Sequence, residues 1–306
     1  MRNVGRQLRE QARLPAVNTR GRLVSGLVTM VMALAGFVTA GALPAAAAPG
    51  TIQYVALGDS YAAGTAHGCS GSGYPALLGS ERILTANIAC SGATTDEVIR
   101  NQVPTLKTYS DARLVTLTVG AANLGLSDVA AACLAGTSEC GTAISNAQNK
   151  VRGCPVDEGT LGGDLINLYG EVAKAAPRAR IVVTGYPLLF EQPTSADPKT
   201  AKIITAINDA TTDLNCVIER AVAAANDADV NIHYVDVTEE FAERGLVIDG
   251  SLIKCPDPDA FIHGLFINCD PRKPDPEAFH PTAEGYRAYA DAISAALPGG
   301  WLKDKS

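Results

Sequence analysis

Cys-x-x-Cys pairs, the close spacing that structural zinc favours, are missing from this chain although it holds eight cysteines. Basic residues are scarce as well. Residues 1–48 carry six Arg and one Glu of the chain's 25 basic and 32 acidic residues, so beyond them the balance moves from −7 to about −12. Such a surface excludes nucleic acid as an expected partner and offers no attraction to anionic membranes. The glycine-rich stretch Gly68-Cys69-Ser70-Gly71-Ser72-Gly73 has no Lys-Ser or Lys-Thr behind it, which removes a phosphate-binding P-loop. No repeat or low-complexity run follows residue 48, and the length that remains suits one sizeable domain. Histidine is rare too: only His67, His233, His263 and His280 occur, so each is a short-listed base.

What is present begins with an address. Arg2, Arg6, Arg9, Arg13, Arg20 and Arg22 precede an almost wholly apolar run from Leu23 to Leu43, and Ala45 to Ala48 supply small residues for cleavage. This is the pattern of a secretory signal peptide over 1–48, leaving a single domain over 49–306. An uncleaved anchor is the alternative, because the apolar run just reaches membrane-spanning length. All eight cysteines follow the leader, and an even number behind an export signal implies disulfides. Eight cysteines allow 105 connectivities and the sequence leaves the choice open; local pairs Cys69 with Cys90, Cys133 with Cys140 and Cys255 with Cys269 would each staple a loop, leaving Cys154 with Cys216. The expected location is extracellular.

Short apolar or β-branched runs at Tyr54–Leu57, Ile83–Ile88, Leu114–Val119, Ile181–Thr184 and Ile232–Val235 alternate with helical patterns. The helices are expected near Tyr74–Gly79, Asp96–Arg100, Leu126–Leu134, Leu161–Ala175, Pro198–Asn226 and Pro281–Leu297. Strands lacking polar alternation are those buried on both faces, so the expected fold is α/β: a three-layer α/β/α sandwich around a roughly five-stranded parallel sheet. Stretches 136–160 and 245–278 read as long loops, the usual place for a functional rim.

The first strand runs into Gly58-Asp59-Ser60-Tyr61. Open parallel sheets bind their ligands at the carboxyl ends of the strands, so Ser60 stands where a nucleophile would. Taken alone, Asp59-Ser60 is a turn or a helix cap. A Gly two positions after Ser60 is missing, so this is not the Gly-x-Ser-x-Gly elbow. A serine hydroxyl needs a base, and His280 stands before Pro281 at the entrance of the last helix, with a carboxylate three residues upstream.

Gly58-Asp59-Ser60-Tyr61 near the start of the mature chain and His280-Pro281-Thr282 near its end resemble the first and last blocks of the SGNH, or GDSL-type, hydrolase family. The order of parts, the cysteine content and Thr184-Gly185-Tyr186-Pro187 are similar to its secreted bacterial esterases and lipases. The resemblance implies a flavodoxin-like sheet and hydrolysis of carboxylic esters through an acyl-enzyme on Ser60, with His280 as base and no cofactor or metal. It also implies that Glu277 occupies the place of the family's orienting Asp; Asp275 or a backbone carbonyl are the alternatives. The oxyanion hole it implies draws on the N–H groups of Ser60 and Gly92 and on an Asn side chain.

That last element departs from the pattern. Gly120-Ala121-Ala122-Asn123 stands where the family has Gly-x-Asn-Asp, so Ala122 falls where the Asn belongs. Either Asn123 swings in as third donor or the hole has two backbone donors. The expected substrate is a lipid or short-chain ester, with phospholipids and acetylated carbohydrates behind it, met by a monomer. The rival is a binding protein that kept the scaffold and lost turnover. The acidic group Asp257, Asp259, Asp270, Asp275 and Glu277 reads as solvated surface rather than a Ca²⁺ site.

Overall fold

The computed structural model describes residues 52–297 apart from 79–82, 127–128, 130–131, 134–138, 251 and 256. The expected signal peptide and most of the helix expected at 126–134 lie outside the described residues. Strands β1 (Ile52–Gly58), β2 (Ile83–Asn87), β3 (Leu114–Thr118), β4 (Arg180–Thr184) and β6 (Ile232–Val235) form one parallel sheet in the order β2-β1-β3-β4-β6. All five expected strands are in it. The order reverses at β1, so the crevice outside the ends of β1 and β3 is the expected ligand site of such a sheet.

Right-handed crossovers put the connections on opposite faces once the strand order reverses. Helix α2 (Tyr74–Leu78) accordingly packs with the last helix α9 (Ala283–Ala296). On the other face α7 (Leu161–Ala175) packs with α8 (Pro198–Asp227) and with the helical run that starts at α3 (Thr95–Glu97) and ends at α4 (Val103–Leu106). The caps follow from the sequence. Thr94 and Glu97 form a capping box at α3, Asp197 caps α8 before Pro198, and Thr282 caps α9.

β3 is buried along its whole length, two threonines included. Their hydroxyls are satisfied from neighbouring elements: Thr116 meets the Tyr54 hydroxyl at 2.7 Å, and Thr118 meets those of Tyr74 at 2.9 Å and Thr184 at 2.6 Å. Paired in this way, polar groups cost little in a core that would penalise them unpaired. The same region fixes the end of β1. A Cβ on Gly58 would lie 2.0 Å from the Thr118 carbonyl oxygen, and φ is +131° there, so only glycine fits. A π turn over Val98–Gln102 turns the Gln102 amide onto Gly58, where it accepts from the N–H and donates to the C=O, both at 2.8 Å.

Two expectations are corrected. The stretch 136–160 contains α6 (Cys140–Val151), whose buried Cys140, Ile144, Ala147 and Val151 stand at alternating steps of four and three. Its polar exposed face, with Ser145, Asn146, Asn149 and Lys150, hid that stripe. The stretch 245–278 holds β7 (Ile248–Gly250) and β8 (Leu252–Ile253), which join β5 (Ser195–Ala196) in a three-stranded sheet of their own. Strands of two or three residues carry no readable period. The cysteines pair as Cys69–Cys90, Cys133–Cys140, Cys154–Cys216 and Cys255–Cys269, as expected.

Candidate active site

Ser60 opens the single-turn helix α1 (Ser60–Ala63) at the carboxyl end of β1, capped by the Asp59 side chain. Asp59 is 2% exposed. Its Oδ1 accepts from the Tyr61 N–H at 3.0 Å, and its Oδ2 accepts from the Tyr186 hydroxyl. That hydroxyl in turn accepts from the Ala121 N–H at 3.2 Å, so Tyr186 bridges the turn after β1 and the turn after β3. Burial pushes the Asp59 carboxyl up to about 7, against the opposing effect of its hydrogen bonds.

The base arrives from the far end of the chain. Tyr61, next to Ser60, donates its hydroxyl to the carbonyl of Phe279, next to His280, at 2.7 Å across 218 residues. The Tyr61 and His280 rings lie 5.4 Å apart. His280 Nδ1 lies 3.1 Å from the Ala278 carbonyl oxygen, a contact in which the ring N–H donates. Burial holds the imidazole below its ordinary 6.5; the Ala278 carbonyl and the Glu277 charge act in the opposite sense. Between these neighbours Phe279 sits at φ +66°, held by its N–H to the His263 carbonyl at 2.9 Å. The His263 N–H returns a bond of 2.8 Å to the His280 carbonyl. No direct Ser60–His280 hydrogen bond is formed among the described residues; such bonds commonly close only around a substrate.

The carboxylates are arranged differently from the sequence expectation. Among the described residues the Glu277 carboxylate makes no hydrogen bond to the imidazole: its Oε2 accepts from the Ala66 N–H at 2.7 Å and its Oε1 lies 3.2 Å from the Thr65 hydroxyl. Asp275 pairs instead with His263 Nδ1 at 3.0 Å and accepts from the Glu277 N–H at 2.9 Å. A three-residue interval sets Glu277 in the same turn as His280, whose N–H donates to the Glu277 carbonyl at 2.9 Å. In that turn the Ala278 carbonyl reaches Nδ1 while the longer side chain points to the α1 loop.

Gly92 follows β2 at φ +74° with open space where a Cβ would be. Among the described residues neither its N–H nor that of Ser60 meets a protein acceptor. Asn123 lies in α5 (Ala121–Leu124), with its amide engaged on Thr95, three residues after Gly92. Its Oδ1 accepts from the Thr95 N–H at 3.0 Å and its Nδ2 donates to the Thr95 hydroxyl at 2.9 Å. The amide thus ties α5 to the start of α3. Of the other histidines, His67 is exposed in a loop and His233 is exposed on β6. Sequence reasoning assigned no role to Tyr61, Gln102 or Tyr186. Tyr61 and Tyr186 stood in quoted motifs, but only the fold brings them against Phe279 and Asp59.

A model of the GDSL-like lipase/acylhydrolase family matches residues 56–288. Lipase 1 of Streptomyces coelicolor is 33% identical over 281 residues, covering 87% of this chain and 94% of that protein. The crystal structure of an extracellular lipase from Streptomyces rimosus superposes with a TM-score of 0.64 at 28% identity, covering 81% of this chain and 100% of that one. Phospholipase A1 from Streptomyces albidoflavus NA297 does so with a TM-score of 0.64 at 29% identity, over the same shares.

Proposed function

This chain belongs to the GDSL-like lipase/acylhydrolase family and is a carboxylic ester hydrolase, and from that premise we propose that it is an exported serine hydrolase acting on acyl esters of lipids. Ser60 is the nucleophile, His280 the base, and the Ala278 carbonyl the group that orients it. The observation that carries this reading is the 2.7 Å bond from Tyr61 to the Phe279 carbonyl, which joins the residue after Ser60 to the residue before His280.

In the first half-reaction Ser60 Oγ attacks the ester carbonyl carbon while His280 Nε2 takes its proton. The tetrahedral oxyanion is held by the N–H groups of Ser60 and Gly92, neither of which meets an acceptor among the described residues. Collapse breaks the bond to the alcohol, which leaves with the proton from Nε2. Water then repeats the sequence on the acyl-enzyme, releasing the acid and restoring Ser60. The Ala278 carbonyl supports the Nδ1–H tautomer, which leaves Nε2 as the accepting nitrogen. With Asn123 engaged on Thr95, the hole has two backbone donors.

Export is supported by the leader pattern of 1–48, by four disulfides and by likeness to an extracellular lipase. No described helix is long and apolar enough to cross a membrane. Lipid acyl esters rank first because the similar proteins are lipases and a phospholipase A1. A chain-length series of p-nitrophenyl esters, followed by a phospholipid and an acetylated xylan, tests both points. Hydrolysis that favours acyl lipids and vanishes in Ser60→Ala is expected. Cleavage of acetylated xylan alone would overturn the substrate, and full activity in Ser60→Ala would overturn the nucleophile.

A further inference from the structure

The Glu277 carboxylate sits at a junction of three loops. Its Oε2 accepts from the Ala66 N–H at 2.7 Å, a charge-assisted bond. Its Oε1 faces the Thr65 hydroxyl at 3.2 Å; that hydroxyl's single proton also faces the His67 carbonyl at 3.0 Å. Thr65 and Ala66 directly follow the nucleophile turn: the N–H groups of Gly64 and Thr65 both donate to the Ser60 carbonyl, at 2.9 and 3.3 Å. The Ala66 carbonyl accepts from the Ser91 hydroxyl at 2.5 Å, and Ser91 precedes Gly92. The Cys69–Cys90 bridge and the bond from the Ser91 N–H to the Gly68 carbonyl at 2.7 Å close the same two loops on each other. On its other side the Glu277 carbonyl accepts the His280 N–H.

We propose that Glu277 is a positioning residue: its carboxylate clamps the His280 turn onto the Thr65–Ala66 segment and so sets the imidazole relative to both Ser60 and the Gly92 turn. This deepens the assignment of Ser60 and His280 and rests on it. A carboxylate serves here because one oxygen accepts the Ala66 N–H while the other faces the Thr65 hydroxyl. Misplacement of a catalytic group by about 1 Å costs on the order of 100-fold in rate. Orienting the wrong tautomer costs on the order of 10⁴-fold, so the two roles of Glu277 are separable by magnitude.

The test measures kcat, KM and the pH dependence of kcat/KM on a soluble ester for the full chain, Glu277→Ala, Glu277→Gln and Ser60→Ala. Glu277→Ala is expected to lower kcat by about 10- to 100-fold with KM within about threefold. Glu277→Gln keeps an acceptor for the Ala66 N–H and is expected to restore kcat to within about fivefold of the parent. The groups whose charge bears on the His280 ring are Glu277 and His263. Removing the carboxylate charge takes away a partner that favours the imidazolium, so the acid limb moves to lower pH in both Glu277 variants. A loss near 10⁴-fold in both variants would overturn the proposal in favour of a triad acid. An unchanged kcat in Glu277→Ala, or an unmoved acid limb in both, would overturn it as well. Ser60→Ala separates the two levels, since hydrolysis that survives it refutes the underlying catalytic assignment whatever Glu277 does.

Discussion

Tyr186→Phe removes one oxygen from behind the nucleophile, and its cost can be worked from the structure. The ring remains, so its edge contact with Tyr61, 5.2 Å between centroids, is kept. Two hydrogen bonds go: the one donated to Asp59 Oδ2 and the one accepted from the Ala121 N–H. Each orphaned group costs about 1–3 kcal/mol, more for a charged one, which sums to about 2–6 kcal/mol. For a domain of this size that lowers Tm by about 4–24 °C. The loss depends on pH. The folded pKa of Asp59, about 7, stands above its ordinary 3.8. Its titration therefore stabilises the fold fully below about pH 4, and that contribution is lost as pH rises to about 7. Above that window the buried carboxylate relies on the Tyr186 hydroxyl, so the variant suffers more at pH 8 than at pH 5. Urea unfolding at both values measures this. A difference from the parent below about 0.5 kcal/mol at pH 8, or the same loss at both pH values, would refute the reasoning.

Ala122→Asn restores the side chain that the family pattern places at the oxyanion hole; since losing one such donor costs about 10²- to 10³-fold, a gain in kcat of about tenfold is expected, and an unchanged kcat in a folded variant would show that the hole is already complete. The acid limb of kcat/KM is expected below pH 6.5, because burial holds the His280 imidazole under that value and keeps it neutral, and able to accept a proton, to lower pH; a half-point above 6.5 would contradict it. Among the disulfides, Cys154–Cys216 spans 62 residues and Cys133–Cys140 only 7. Replacing each pair by Ala is expected to cost about 4 and about 2 kcal/mol respectively, and the reverse ranking in denaturant melts would refute the loop-closure account.

The sheet was legible because its central strands are buried on both faces and therefore read as unbroken apolar or β-branched runs, Leu114–Thr118 above all. Helix α6 was not, since its stripe of Cys140, Ile144, Ala147 and Val151 is narrow and lies in polar sequence. Ser60 and His280 were found through motif residues that sit where elements end. Glu277 shows the limit of spacing: three residues before a histidine is the right interval for a triad acid, yet the turn sends a backbone carbonyl to Nδ1 and the side chain to Ala66. The Asn123 amide meets Thr95, 28 residues away at a helix start, a contact that no local pattern encodes. Tyr61 and Tyr186 act through contacts 218 and 127 residues distant, which no local pattern encodes.

The most direct test of the assignment of Ser60 and His280 is covalent labelling with a fluorophosphonate, read by intact mass and peptide mapping on the parent, Ser60→Ala and His280→Ala. One adduct on Ser60 is predicted in the parent, none in Ser60→Ala, and labelling slowed by a factor of about 100 or more in His280→Ala, where no base takes the serine proton. An adduct on another residue, or a labelling rate indifferent to His280, would contradict it.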